Sequence, residues 1–132
     1  MNFYLITAFQ KNTYRWVLLT HVGALNDLKG IHYDLLLEDK IFCRSWRLSE
    51  IPLLDGPYVE AIHISPHKLA WLEISEKVLS KNRGVVTQIK KGIFLKSLPS
   101  IETSFINIEL QWEKVEVHLV IDQNGCRILS KN

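Results

Sequence analysis

The chain has 132 residues, which suits one domain with a single core and leaves too little for two. Hydrophobic residues make up 47% and charged residues 23%, a globular balance that excludes a disordered chain. The formal net charge of +2 excludes a histone-like polycation, so any contact with nucleic acid has to come from a local patch.

Met1 to Phe9 carries neither the basic region nor the apolar length of a secretory leader. No run of about 18 apolar residues is present, so the expectation is a cytoplasmic protein that spans no membrane. Cys43 and Cys126 form no CxxC and no disulfide framework; buried, reduced thiols fit the same compartment. Short β-like runs then recur along the chain at roughly ten-residue spacing. They are Asn2–Ala8, Tyr14–His21, Gly30–Glu38, Ile41–Leu48, Tyr58–Ser65, Gly84–Lys90, Gly92–Ser97, Ser104–Trp112, Val115–Ile121 and Cys126–Leu129. Turn chemistry punctuates them at Asp55-Gly56-Pro57, Lys91-Gly92 and Asp122-Gln123-Asn124-Gly125, the last holding an Asn-Gly hairpin signal. Val22–Lys29 reads as a loop built on Gly23 and Asn26-Asp27.

Ser65 to Leu79 fits two descriptions. Ser65 is an N-cap candidate, Pro66 suits the first helical position and good helix formers follow, so the local signals describe a helix. The resemblance set out below describes a turn followed by extended chain. Taken together, the runs predict a mainly β fold. The expectation is a single domain over 1–132, a small closed or partly open β-barrel with short helical or loop insertions.

In the Gly30–Glu38 run alternate side chains share a face, so His32, Asp34 and Leu36 point one way and Tyr33, Leu35 and Leu37 the other. An imidazole and a carboxylate then stand about 7 Å apart along the strand. With His21 upstream they make a two-histidine, one-carboxylate set suited to Mn²⁺ or Zn²⁺ with positions left open for water and substrate. A hydrogen-bonded structural pair is the other reading of His-x-Asp on a strand. His63 and His118 read as half-buried sheet histidines, and His67 as a loop residue able to reach a site. Lys77, Lys81, Arg83, Lys90, Lys91 and Lys96, interleaved with Trp71, Asn82 and Phe94, describe either a phosphate-tracking surface or a solvated charged face. No P-loop, GxGxxG, HExxH, GxSxG or CxxC is present, which removes the commoner nucleotide-binding, hydrolase and zinc-ribbon readings.

His32-Tyr33-Asp34-Leu35-Leu36-Leu37-Glu38 resembles the His-Tyr-Asp-(Phe/Leu)-Arg-Leu-Glu signature of the 3′-phosphoesterase domain of bacterial DNA ligase D, stand-alone relatives of which exist. Arg44-Ser45-Trp46 stands where that family has Lys-Ser-Trp. Ala61 to His67 resembles the strand leading to a later histidine, with Trp71 at an aromatic position, and Arg83 to Phe94 resembles the closing strand pair. The likeness spans about Arg15 to Phe94 and rests on order and spacing. It implies a small β-barrel with a metal site on one side and Mn²⁺-dependent removal of 3′-terminal phosphates and ribonucleotides from nucleic acid in DNA end repair, alongside a separate ligase. His21, His32 and Asp34 are then the metal ligands. His32, Asp34 and His67 are the catalytic set, His67 assisting at the phosphate or with proton traffic.

Departures are specific. The family arginine is Leu36, and leucine cannot clamp a phosphate. Ten residues, Val22 to Ile31, separate the two histidines, more than the family has. Lys68 follows His67 where the family has Pro, and Ile89-Lys90 replaces Trp-Asp. Lys68 and Arg83 are the candidate replacement phosphate contacts. The alternative function is a non-catalytic nucleic-acid-binding or protein-interaction barrel that has lost the clamp, and a third is a metal enzyme acting on a small phosphorylated metabolite.

Overall fold

The computed structural model describes residues 12–131, and the expected strand Asn2–Ala8 lies outside them. Among the described residues nine strands form one sheet, each strand pairing antiparallel with its neighbours. They are β1 (Thr13–Val22), β2 (Ile31–Glu38), β3 (Phe42–Leu48), β4 (Ala61–Lys68), β5 (Glu76–Val78), β6 (Val85–Leu95), β7 (Ile106–Trp112), β8 (Val115–Asp122) and β9 (Gly125–Ser130), with a 3₁₀-helix at Leu69–Glu73. The order across the sheet is β4-β3-β2-β1-β6-β7-β8-β9, with β5 paired to β6. The sheet curls into a half-barrel, so the protein is mainly β, as the spacing of its short strands predicts.

Burial follows the alternation. In β7 Ile106, Ile108, Leu110 and Trp112 point inward, and in β8 Val117, Leu119 and Ile121 do. They meet Trp16, Leu18, Leu35, Leu37, Trp46 and Phe94 inside the curl, where Trp16 stacks on Trp112 at 5.0 Å. β1 and β2 depart from simple alternation because both their faces are covered. Val17, Leu19 and Leu36 face away from the barrel interior into a second core with Cys43, Leu72 and Val86. The 3₁₀-helix caps that core with Leu69, Trp71 and Leu72, which explains how a stretch with helix formers comes to hold one short turn of helix between strands. Pro66 sits inside β4, an edge strand, at a register shift where Cys43 pairs His67 and Ser45 pairs Ile64. A missing N–H is tolerated at such an edge irregularity.

Lys91-Gly92 is not a turn. β6 runs unbroken through it, so the two expected strands are one, and a shift at Leu18/Leu19 of β1 absorbs the extra residue. Gly92 is required by packing, since a Cβ there would lie 2.7 Å from Trp16 Nε1 and 2.6 Å from the Gln111 carbonyl oxygen. Trp16 Nε1 donates to that same carbonyl at 3.0 Å. The turn between β7 and β8 is Glu113-Lys114, both with positive φ (+49° and +69°), the conformation of a type I′ hairpin. Both cysteines are buried and free, and burial pushes each thiol up to about 12.

The sheet's path ends at β9, and the segment before β4 meets it there. Val59 and Cys126 exchange two backbone hydrogen bonds of 2.8 Å, and Asp55 N donates to the Ile128 carbonyl at 2.8 Å. Tyr58 Oη donates to Asp122 Oδ2 at 2.7 Å, and Ser130 N donates to Asp55 Oδ1 at 2.8 Å. This seam partly closes the barrel and depends on Gly125, whose φ is +121° and whose added Cβ would lie 2.1 Å from the Val59 carbonyl oxygen. Gly125→Ala is expected to cost about 2–4 kcal/mol, backbone strain plus a backbone clash, measured as a lower urea midpoint at unchanged slope.

Candidate metal centre

β1 and β2 pair so that His21 faces His32 directly, with ring centroids 4.8 Å apart. Asp34 follows on the same face. The ligand atoms that His21, His32 and Asp34 offer all lie within 4.8 Å of one another. The long connection between the histidines does not disturb this, because Gly23 N donates to the Gly30 carbonyl at 2.9 Å and the excess chain loops out beyond the last pair.

Hydrogen bonding sets the state of each ring. His32 Nδ1 lies 3.0 Å from Asp27 Oδ2 and Nδ1–H donates to that carboxylate, while Nε2 lies 3.5 Å from Asp34 Oδ2. Asp27 is placed by accepting from Lys29 N at 3.1 Å through its other oxygen, and its bond to His32 holds its carboxyl below the usual carboxylate range. His21 Nε2 lies 2.7 Å from the Arg83 carbonyl, which only accepts, so Nε2 carries the proton and Nδ1 the lone pair. Among the described residues, His32 Nε2 and Asp34 Oδ1 are buried without a hydrogen-bond partner. Buried polar atoms of this kind normally have partners, and an imidazole nitrogen 3.5 Å from Asp34 Oδ2, on a carboxylate whose Oδ1 also lacks a hydrogen bond, fits a divalent cation. A metal-bound histidine whose other nitrogen is held by a carboxylate is the usual orienting arrangement. His21, His32 and Asp34 are therefore the residues that fit Mn²⁺ or Zn²⁺.

His67 lies on β4 with its Nδ1 2.8 Å from Ser45 Oγ. Ser45 Oγ itself donates to the Cys43 carbonyl at 3.1 Å, so it accepts from His67 Nδ1–H and leaves His67 Nε2 as the basic nitrogen. Burial lowers the His67 pKa below its ordinary value, with Asp34 opposing and Arg47 reinforcing that shift. Trp71 stands edge-on to the ring at 6.0 Å, and Lys77 Nζ lies 5.5 Å over Trp71.

Other expected residues fall elsewhere. Lys68 pairs with Phe42 at the far end of β3 and is exposed; the Asp34 partner on that strand is Arg47. Neither Lys68 nor His67 lines the cleft beside the trio; His67 is linked to Asp34 through its charge, whereas Lys68, next along β4, points to the opposite side of that strand. Arg83 does line the cleft, though its guanidinium is engaged with Ser80, Nε donating to the carbonyl at 2.9 Å and an Nη to Oγ at 3.0 Å. Leu36 is fully buried in the second core, and Arg44 is a buried tie from the β2–β3 hairpin to Pro99 and Ile101. His63 packs against Trp46 on the other face, with Glu102 as its ion-pair neighbour. The basic cluster does not form one stacking surface, since Phe94 is buried against Tyr14 and Lys90 pairs with Glu113.

Residue-by-residue reading missed Asp27 and Arg47. Asp27 sits in the connecting loop, where spacing gives no side-chain direction. Arg47 was accessible by counting, because Glu38 pairs Cys43 across a short hairpin and the same register then sets Arg47 opposite Asp34. The chain matches no protein-family model, and no curated protein is significantly similar to it.

Asp27→Asn is expected to weaken Mn²⁺ binding about 10–100-fold by calorimetry, and His32→Ala to abolish it. For His67, the unfolded chain takes up a proton near 6.5 and the folded chain only at lower pH. The stability carried by neutral His67 is thus complete above about 6.5 and lost as pH falls below it. Urea melts from pH 8 to 5 are expected to show a shallower acid loss in His67→Gln than in the parent.

Proposed function

We propose that the chain is a metal-dependent phosphoesterase similar to the DNA ligase D 3′-phosphoesterase domain, acting on 3′-terminal phosphate or ribonucleotide of nucleic acid beside a separate ligase. The observation that carries this reading is the buried His32 Nε2, without a hydrogen bond and 3.5 Å from Asp34 Oδ2, grouped with His21 while Asp27 fixes the ring. Bound there, Mn²⁺ or Zn²⁺ supplies Lewis acidity toward a phosphoryl oxygen and acidifies a water.

The chain's own residues do the rest. His32 and Asp34 present their donors from one rigid strand, and His21 adds a third from its neighbour, so little reorganisation is needed on binding. His67, neutral at pH 7 and held through Nδ1, offers Nε2 to accept a proton from an attacking water or to meet a phosphate oxygen.

One observation favours the alternative of a non-catalytic barrel: the position of the family arginine, Leu36, belongs to the core and offers nothing to a phosphate. The two readings separate by experiment. Protein incubated with Mn²⁺ and an end-labelled primer bearing a 3′-phosphate or 3′-ribonucleotide is expected to trim the end. His67→Ala is expected to slow trimming about 10²–10⁴-fold. Protein shown to hold Mn²⁺ that leaves the primer intact would refute the phosphoesterase reading for that substrate. Absence of bound metal, with melting unaffected by EDTA, supports the non-catalytic barrel.

A further inference from the structure

Beside the trio lies a cleft of about 430 Å³ lined by His21, Asp27, His32, Arg47, Leu79 and Arg83 among others. Its two guanidiniums differ. Arg83 is bonded to Ser80. The Arg47 side chain makes no hydrogen bond among the described residues; its Nε lies 3.5 Å from Asp34 Oδ1, and its charge also acts on Asp27. Its side chain is 45% exposed and lines the cleft. The backbone beneath it is fixed, because Arg47 pairs Asp34 on one side and Ile62 on the other.

Charge balance selects the ligand. Asp27 and Asp34 offset Arg47 and Arg83, so a divalent cation at the trio leaves the cleft with an excess of two positive charges. A planar fork beside that excess suits a tetrahedral dianion with two oxygens to present. Asp34 spent on a metal also releases Arg47 from its ion pair, leaving Asp27 as the carboxylate whose charge still acts on it. We propose that Arg47 forms a phosphoryl-binding subsite next to the metal centre, so that the cleft takes a phosphate ester by its terminal phosphate. The proposal rests on the phosphoesterase reading for its metal, and it moves the anion contact from the strand position of Leu36 to the facing position on β3.

The test uses inorganic phosphate as the probe, titrated by calorimetry into Mn²⁺-bearing and metal-free protein. Mn²⁺ affinity is followed separately by electron paramagnetic resonance of the free ion. Arg47→Leu is expected to weaken phosphate binding about tenfold or more, with Arg47→Lys between it and the parent, because the charge stays and the fork is lost. Mn²⁺ affinity is expected to stay the same or tighten in Arg47→Leu, since a cation beside Asp34 has gone. Parent protein that binds no phosphate, or Arg47→Leu that binds it equally well, overturns the proposal. Loss of Mn²⁺ affinity together with phosphate affinity also overturns it, because that is the mark of a merely structural arginine. A parent that takes up no Mn²⁺ yet binds phosphate through Arg47 supports the subsite and removes the metal reading instead.

Discussion

Between β1 and β2 a single register runs from Trp16↔Leu37 to Val22↔Ile31 without a break. Side chains alternate between faces, so a slip of one residue in either strand would turn its set over. Slipping β2 would send His32 and Asp34 into the barrel interior and bring Tyr33, Leu35 and Leu37 out to the second core. Burying an unpaired carboxylate there would be severe, whereas in the observed register Trp16, Leu18, Leu35 and Leu37 fill the interior. The hydrophobic pattern thereby fixes where the polar trio stands. The candidate metal centre is the end of a packed face, and needs no separate device to hold its geometry.

That outer face of β2 reads as a sequence of environments. His32 lines the cleft, Asp34 is buried next along the same face, and Leu36 lies under the 3₁₀-helix. Glu38, also buried, accepts from Arg15 N at 2.8 Å and Nε at 3.4 Å. Arg15 in turn reaches Glu73 at 3.1 Å, at the end of that short helix. The apolar cover keeps water from one side of the trio and leaves the other open to the cleft. Leu36, where the signature that this strand resembles has an arginine, helps seat that cover.

The strands were legible because most of them bury one face and alternate, and the hairpins carry their own turn residues. The trio's shared face followed from alternation within β2, while the pairing of His21 with His32 needed a register that a loop of unknown path conceals. Gly92 misled because glycine marks both turns and close approaches, and what decides is Trp16, on another strand. Ser65 to Leu79 fitted two descriptions, and the extended one prevails apart from one short 3₁₀ turn: its helix formers lost to the area Leu72 and Trp71 cover on the second core. Lys68 follows His67 in the chain and so points to the opposite side of β4, which no composition argument reveals.

The two margins of the sheet are treated differently. β9 meets the chain's own residues 54–59 across a hydrogen-bonded seam, which leaves that border little room for a guest strand. β4 is the other border among the described residues, and there Pro66 and the register shift interrupt the ladder. A passing extended segment would find neither a continuous row of donors nor a straight rail to align on. The proline that imitates a helix start therefore works against templated self-association, protecting a curled sheet that is only partly closed.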